Sequence, residues 1–144
     1  MSLEIPFAIA TALHAAGLWT GLCVILLLVL SALTSANRRK HSVSIGDGGK
    51  HEVAVASRAF GNAIEYMPIA LVALALMALN GLPVWSIHLA GGSFFVGRML
   101  HAWGMLTTRA DKPPTPGRML GMMLTYLPLL GAALALVWRS WSGI

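Results

Sequence analysis

The residues best suited to chemistry form one polar stripe in an otherwise apolar segment. Arg58, Asn62 and Glu65 are spaced i, i+4 and i+7, so a helix places them on a single face. Asn62 and Glu65 are predicted one to two turns inside a membrane span, where an unpaired carboxylate is costly and needs partners or enclosed water. Pro68 removes a backbone donor and is expected to kink the helix beside Glu65. The pattern predicts a polar pocket at one end of the span.

Further cationic groups occur in the next two apolar segments. Arg98 and His101 are three residues apart and share a helix face, and Arg118 opens the last apolar segment. Two interpretations of Arg98 stay open: it neutralises Glu65 as a purely structural pair, or it lines the pocket. Arg58 and Arg118 have no obvious carboxylate nearby in the sequence, so both are expected to attract anions.

Other chemistries are disfavoured by the residue types and their spacing. Cys23 is the only cysteine, which leaves no internal disulfide and no CxxC redox pair. The five histidines show no i, i+3 or i, i+4 pairing, so no metal site is predicted. No GxSxG nucleophile elbow occurs in the sequence.

The composition indicates that lipid is the solvent for most of the chain. Of the 144 residues, 57% are hydrophobic and only 10% are charged, and the mean hydropathy is +0.75. A water-soluble domain of this size needs a charged exterior, because much of its surface stays wet after folding. An integral membrane protein is therefore predicted.

The positions of the charged residues divide the chain into membrane spans. No Asp, Glu, Lys or Arg occurs in residues 5–37, 66–97 or 119–138, and the helix-breaking Asn80–Pro83 turn divides the second of these runs. We therefore predict an all-α, four-helix transmembrane bundle, a single domain over 1–144. Its helices are expected at about 5–36, 54–79, 84–108 and 116–139. The first span is too long for a signal peptide and follows only Glu4, so it is predicted to be uncleaved.

The basic residues predict the orientation in the membrane, because cytoplasmic loops collect Lys and Arg. The middle connection has none, whereas the first and third connections and their edges hold Arg38, Arg39, Lys40, Lys50, Arg58, Arg109, Lys112 and Arg118. Both termini are therefore predicted on the non-cytoplasmic side. The net charge of +5 is explained by the orientation in the membrane and by attraction to anionic lipid headgroups. No nucleic-acid partner is expected.

Small residues at a spacing of four suggest where helices approach closely. Gly17-xxx-Gly21 and Gly117-xxx-Gly121 both fit this pattern, which lets membrane helices pack tightly. The Gly46–Gly49 segment, Gly-Asp-Gly-Gly, is interpreted as a plain turn between the first two helices.

The motif Arg58-xxx-Asn62-xx-Glu65-Tyr66-x-Pro68 resembles the signature of the MAPEG family, the membrane-associated proteins in eicosanoid and glutathione metabolism. The four-span layout, the Gly-Asp-Gly-Gly turn and Gly97-Arg98-xx-His101 are similar to its small bacterial members. The resemblance covers nearly the whole chain.

The resemblance implies a homotrimer that binds glutathione between neighbouring subunits near the cytoplasmic face. The residues that it assigns to the glutathione pocket are Arg58, Asn62, Glu65, Tyr66, Arg98 and His101. Arg118 is similar in placement to an arginine that activates the thiol, and the implied activity is a glutathione transferase or peroxidase acting on a lipophilic electrophile. A location in the bacterial inner membrane also follows from the resemblance.

An alternative function stays open, because this chain has only two tyrosines where enzymatic relatives often have more. It is a non-catalytic membrane protein that binds a lipid headgroup or another anionic ligand in the same pocket. A channel or transporter is disfavoured, since no continuous polar path crosses the predicted spans.

Overall fold

The fold is a bundle of four α-helices. The structure is a computed structural model that describes residues 6–109, 111 and 113–143, so the predictions that involve Glu4 and Lys112 fall outside the described residues. The helices are α1 (Phe7–Lys40), α2 (His51–Leu79), α3 (Val84–Leu106) and α4 (Pro116–Ser142).

The helix ends differ from the sequence expectations by a few residues, for local reasons. Helix α1 continues to Lys40, because three basic residues in its last turn complement the negative end of the helix dipole. Helix α3 ends at Leu106, where the hydroxyl of Thr108 donates to the Gly104 carbonyl at 2.6 Å. Helix α4 begins at Pro116 behind the cap Thr115, and Gly143 ends it in the left-handed conformation.

The distribution of side chains is that of a membrane protein. The interior is built largely from small residues such as Ala12, Ala63 and Ala78. Large apolar side chains, among them Leu28, Ile69 and Leu127, are more than half exposed. Such a surface is stable only in lipid. The predicted all-α membrane bundle is confirmed.

Three of the four helices are long and apolar enough to cross a membrane by length and composition. These are α1, α2 and α4. Helix α3 has 23 residues, about 35 Å of helix, but its polar and glycine residues keep it out of this set. Its polar side chains, Arg98 and His101, are buried inside the bundle.

The bundle has two distinct ends, which we call the basic end and the turn end. The basic end carries the α1–α2 and α3–α4 connections, and the His51 ring lies 2.8 Å from the Thr108 carbonyl there. The turn end carries Asn80–Pro83, and Arg139 near the end of α4 donates to the Asn80 carbonyl. The first turns of α1 also pack at the turn end, so the described ends of the chain share one end of the bundle.

Helices α3 and α4 make the closest approach in the molecule. A Cβ on Gly121 would lie 2.5 Å from the His101 backbone nitrogen, and one on Gly97 would lie 2.9 Å from Leu124. The predicted Gly117-xxx-Gly121 pair therefore lies on a packed face. The second predicted pair differs, because Cβ atoms on Gly17 and Gly21 would meet nothing within 4 Å.

Candidate functional site

The centre of the polar site is the side chain of Arg98, which is only 2% exposed. Its Nη1 donates to the Asn62 side-chain oxygen at 2.7 Å, and its Nε donates to the Thr125 hydroxyl at 2.9 Å. Its Nη2 donates to the same Thr125 oxygen and lies 3.5 Å from the Met122 sulfur. Two helices, α2 and α4, thus supply the acceptors that hold one guanidinium buried on α3.

The close approach of α3 and α4 explains why this arginine can be buried. Because Gly97 and Gly121 have no side chains, the neighbouring residues Arg98 and Thr125 are brought within hydrogen-bond distance. The Thr125 hydroxyl gives its own proton to the Gly121 carbonyl at 2.8 Å. Its oxygen is then free to accept from Arg98.

Two aromatic rings lie close to the guanidinium. The Arg98 Cζ lies 5.2 Å from the centre of the Tyr66 ring and 5.9 Å from that of Phe94, distances typical of cation–π contacts. The Tyr66 hydroxyl is 3.0 Å from the hydroxyl of Tyr126. The two tyrosines of the chain therefore meet beside the buried cation.

Arg98 is held by neutral acceptors. The ion pairs within the described residues join His41 to Glu52 and Arg58 to Glu65, and neither includes Arg98. The interpretation that Arg98 and Glu65 neutralise each other directly is therefore wrong: the Asn62 amide lies between them. The buried positive charge keeps a long-range attraction for anions, since no adjacent carboxylate cancels it.

Arg58 and Glu65 form a separate, outward-facing pair. Arg58 Nη1 lies 3.6 Å from Glu65 Oε1, and the Asn62 amide donates to the other carboxylate oxygen at 3.4 Å. The expectation that Arg58 lacks a nearby carboxylate is wrong, because two helical turns bring position i+7 onto the same face. The resulting chain of contacts runs from Arg58 through Glu65 and Asn62 to Arg98.

The depth and exposure of this pair are unusual for charged groups in a membrane protein. Glu65 is the central residue of the 29-residue helix α2, about 20 Å from either end and deeper than one to two turns. The Arg58 and Glu65 side chains are nevertheless 65% and 52% exposed on the single chain. Charged groups within a membrane-spanning helix rarely face lipid.

His101 and Arg118 lie closer to the basic end. His101 is 4% exposed, with its backbone against Gly121 and with Arg98 and Arg118 both within electrostatic range of its ring. Arg118 is half-buried and its backbone is capped by Thr115, but Thr125 lies seven residues further along α4, about 10 Å. The structure therefore does not bring the Arg118 backbone into the Arg98 cluster.

Sequence reasoning missed the contribution of α4 to this site. Thr125 and Tyr126, which contact Arg98 and Tyr66, were not among the predicted site residues. A signal was present, because the two adjacent polar residues interrupt the apolar run of α4 one turn after Gly121.

The large cavity at the basic end is lined by other residues than those predicted. It has a volume of about 560 Å³ between α1, α2 and the end of α3, and its lining includes Asn37, His51, Glu52 and Thr108. The predicted stripe instead forms an open surface on the single chain. In the part of the chain that the structure describes, no cluster of three His, Cys, Asp or Glu side chains could hold a metal.

The fold and the site define a small helical membrane protein with a buried, neutrally held arginine beside an exposed ion pair. Comparison with known proteins gives the family. The model of the MAPEG family matches residues 16–138. The inner membrane protein YecN of Escherichia coli K12 is 35% identical over 121 residues, which cover 84% of this chain and 88% of YecN, and YecN of E. coli O6:H1 matches equally.

The chain therefore belongs to the MAPEG family. The resemblance seen in the Arg58–Pro68 motif is confirmed. No solved structure matches the chain.

Proposed function

We propose that this protein is a membrane-bound, glutathione-dependent transferase or peroxidase that acts on lipophilic electrophiles. Family membership supports a role connected with glutathione. The observation that carries the proposal is the exposed Arg58–Glu65 pair on α2, in contact through Asn62 with a buried cation.

The exposed pair has the chemistry to recognise glutathione. Glutathione has carboxylates at both ends and one ammonium group. The Arg58 guanidinium is complementary to a carboxylate and the Glu65 carboxylate to the ammonium group. Arg58 and Glu65 are 3.6 Å apart and more than half exposed, so their contact is weak. Each residue can therefore give up this contact and bind a group of glutathione.

The assembly that we propose is a homotrimer with glutathione between its subunits. The Arg58–Glu65 surface lies in the first half of a membrane-spanning helix and needs a cover other than lipid. A neighbouring copy of the chain supplies that cover and closes the pocket around the tripeptide. The basic end faces the cytoplasm in this proposal, because it carries most of the Lys and Arg residues.

The chemistry that the site offers is activation of a thiol. A free thiol has a pKa of about 8.5, and nearby cations favour its thiolate, which is the nucleophile. Arg98 is buried near the pocket, and Arg118 has a half-buried position at the start of α4. In the transferase reaction the thiolate forms a carbon–sulfur bond with the electrophile, while a leaving group departs or the adduct takes up a proton. In the peroxidase reaction it attacks the outer oxygen of a hydroperoxide, which gives a sulfenic acid and an alkoxide that is protonated to the alcohol. A second glutathione then converts the sulfenic acid to glutathione disulfide and water. The electrophile reaches the site from the bilayer.

The location that we propose is the bacterial inner membrane. The apolar helices require a membrane, and YecN is named as an inner membrane protein of E. coli. Both described ends of the chain, at the turn end, then face away from the cytoplasm.

Thiolate formation tests the catalytic proposal. Ultraviolet absorbance of glutathione mixed with the detergent-purified protein is expected to show the thiolate band, and Arg118→Gln is expected to weaken it. Arg39→Gln, which removes an exposed arginine at the end of α1, serves as the control. Binding without any thiolate band contradicts catalysis.

The second candidate is a non-catalytic protein that binds a lipid headgroup or another anion on the same surface. One observation favours it: the Nε and both Nη atoms of Arg98 already contact acceptors, so this cation does not reach a guest directly. Binding of glutathione with no thiolate, together with competition by an anionic headgroup, is the result expected for this candidate.

A further inference from the structure

Helices α3 and α4 separate towards the turn end and leave a groove between them. They are in backbone contact at Gly97 and Gly121, where a Cβ would collide with the other helix. Beyond Leu124, Pro128 interrupts the hydrogen bonding of α4, and small residues, Ala90 and Ala132, lie between the helices. A space of about 470 Å³ results, which we call the α3–α4 groove.

The lining of the α3–α4 groove is almost entirely apolar. Its larger side chains are those of Met77, Leu82, Trp85, Leu89, Leu124 and Leu127. On α4 the groove extends from Leu124 to Ala135, about 16 Å along the axis, which is roughly half of the ~30 Å hydrocarbon core. The groove is long, narrow and located in membrane-spanning helices.

A cation lies at the end of the groove nearest the turn. The Nε and Nη2 of Arg139 donate to the Asn80 carbonyl, at 3.2 and 2.6 Å. Nη2 also lies 3.5 Å from where a Cβ on Gly81 would be, next to the groove residue Leu82. The contacts found among the described residues leave the second terminal nitrogen, Nη1, without a protein acceptor, and they pair Arg139 with no carboxylate.

The height of this cation in the membrane is marked by two tryptophans. Trp85 at the start of α3 and Trp138 beside Arg139 are 67% and 69% exposed. Exposed tryptophans collect at the level of lipid headgroups. Arg139 is therefore at the height of lipid phosphates, and the groove descends from it into the hydrocarbon layer.

We propose that the α3–α4 groove binds one acyl chain of an anionic phospholipid whose phosphate is held by Arg139. The chain replaces water or voids along the apolar lining, and a phosphate oxygen accepts from Nη1. The site is separate from the polar cluster, because Gly97 and Leu124 close the groove on that side. The proposed lipid site does not depend on glutathione binding.

Photolabelling of the full chain in phosphatidylcholine vesicles tests this proposal. The probe is phosphatidylglycerol with a diazirine in its acyl chain, and the labelled peptides are mapped by mass spectrometry. Labelling is expected to concentrate on the groove residues of α3 and α4.

Two substitutions on α4 form a matched pair for this experiment. Gly131→Leu fills the groove, and it is tolerated because a Cβ there meets nothing within 4 Å. It is expected to reduce groove labelling at least severalfold. Ala133→Leu adds apolar volume to an exposed position outside the lining and is expected to leave labelling unchanged.

A separate comparison tests the contact between Arg139 and the lipid headgroup. Arg139→Gln is expected to reduce labelling by the phosphatidylglycerol probe more than labelling by a phosphatidylcholine probe with the same chain. Equal loss with both probes contradicts selection of an anionic lipid by Arg139, and no loss with either probe contradicts a contact between Arg139 and the phosphate.

Two results overturn the acyl-chain site. One is labelling spread evenly over exposed faces, such as Leu28 on α1, and insensitive to Gly131→Leu. The other is a cross-link between groove residues of two copies of the chain with no lipid label, which assigns the groove to a subunit contact.

Discussion

The two arginines of the polar site are satisfied in different ways. Arg98 is enclosed by its own chain, with acceptors on α2 and α4 and two aromatic rings nearby. Arg58 meets only Glu65 on its own helix, and both side chains remain more than half exposed. A charge that the fold satisfies by itself is part of the structure, whereas a charged pair left exposed at membrane depth needs a partner from outside. The first region is expected to govern stability and the second binding.

Breaking the helix contact that encloses Arg98 is expected to have the largest effect. Gly121→Ala places a Cβ 2.5 Å from the His101 backbone nitrogen, so α3 and α4 must move apart. We expect a loss of about 3 kcal/mol in the free energy of unfolding, measured by thermal unfolding in detergent. Gly131→Ala is the control, since its Cβ meets nothing within 4 Å. Equal unfolding midpoints for the two variants contradict the close contact.

Removing the acceptor of Arg98 is expected to have the next largest effect. Thr125→Val keeps the shape of the side chain but leaves Nε and Nη2 of a buried cation without their oxygen. The expected loss is about 2 kcal/mol, the scale of hydrogen bonds to charged groups. Thr20→Val is the matched control, because the Thr20 hydroxyl bonds the Ala16 carbonyl of its own helix. If the two variants unfold alike, Thr125 does not hold Arg98.

The exposed pair is expected to give the opposite result, a small change in stability with a large change in binding. Glu65→Gln is expected to alter stability by less than about 1 kcal/mol, since exposed ion pairs contribute little. The glutathione concentration that gives half of the full thermal stabilisation is expected to rise about tenfold, because a charge-assisted contact is lost. Glu52→Gln, at the exposed start of α2, provides the comparison. A large stability loss without any binding change assigns Glu65 to the structure instead.

The smallest effect is expected at the tyrosine pair. Tyr66→Phe and Tyr126→Phe each remove the same 3.0 Å hydroxyl contact, worth about 1 kcal/mol. The double variant is therefore expected to lose little more than either single variant. Additive losses in thermal unfolding show that the two hydroxyls act independently.

Much of the fold could be predicted from the sequence, because placing a charged side chain inside a membrane costs several kcal/mol of free energy. The charge-free runs and the Asn80–Pro83 turn indicated four helices, and the structure has four. The helix ends were less accurate, since caps and back-bonding threonines such as Thr108 determine them locally. Helix α3 is less apolar than the other three, and the bundle buries its Arg98 and His101 side chains.

The predicted site residues lie on α2 and α3, apart from Arg118 at the start of α4. The i, i+4, i+7 spacing identified Arg58, Asn62 and Glu65 as one surface, and the structure joins them by contacts. What spacing could not give was the register between helices, which decides that Arg98 meets Thr125 and Asn62 and does not reach Glu65. That register depends on the backbone contact at Gly97 and Gly121.

Calorimetric titration of the detergent-purified, full-length protein with glutathione tests the central claim most directly. If the mid-helix Arg58–Glu65 surface is the recognition site, the wild-type protein gives saturable heat at millimolar glutathione. Arg58→Gln then loses that heat, and Arg39→Gln retains it. The account is contradicted if the wild-type protein gives no heat and no thermal shift, or if Arg58→Gln binds as well as the wild type.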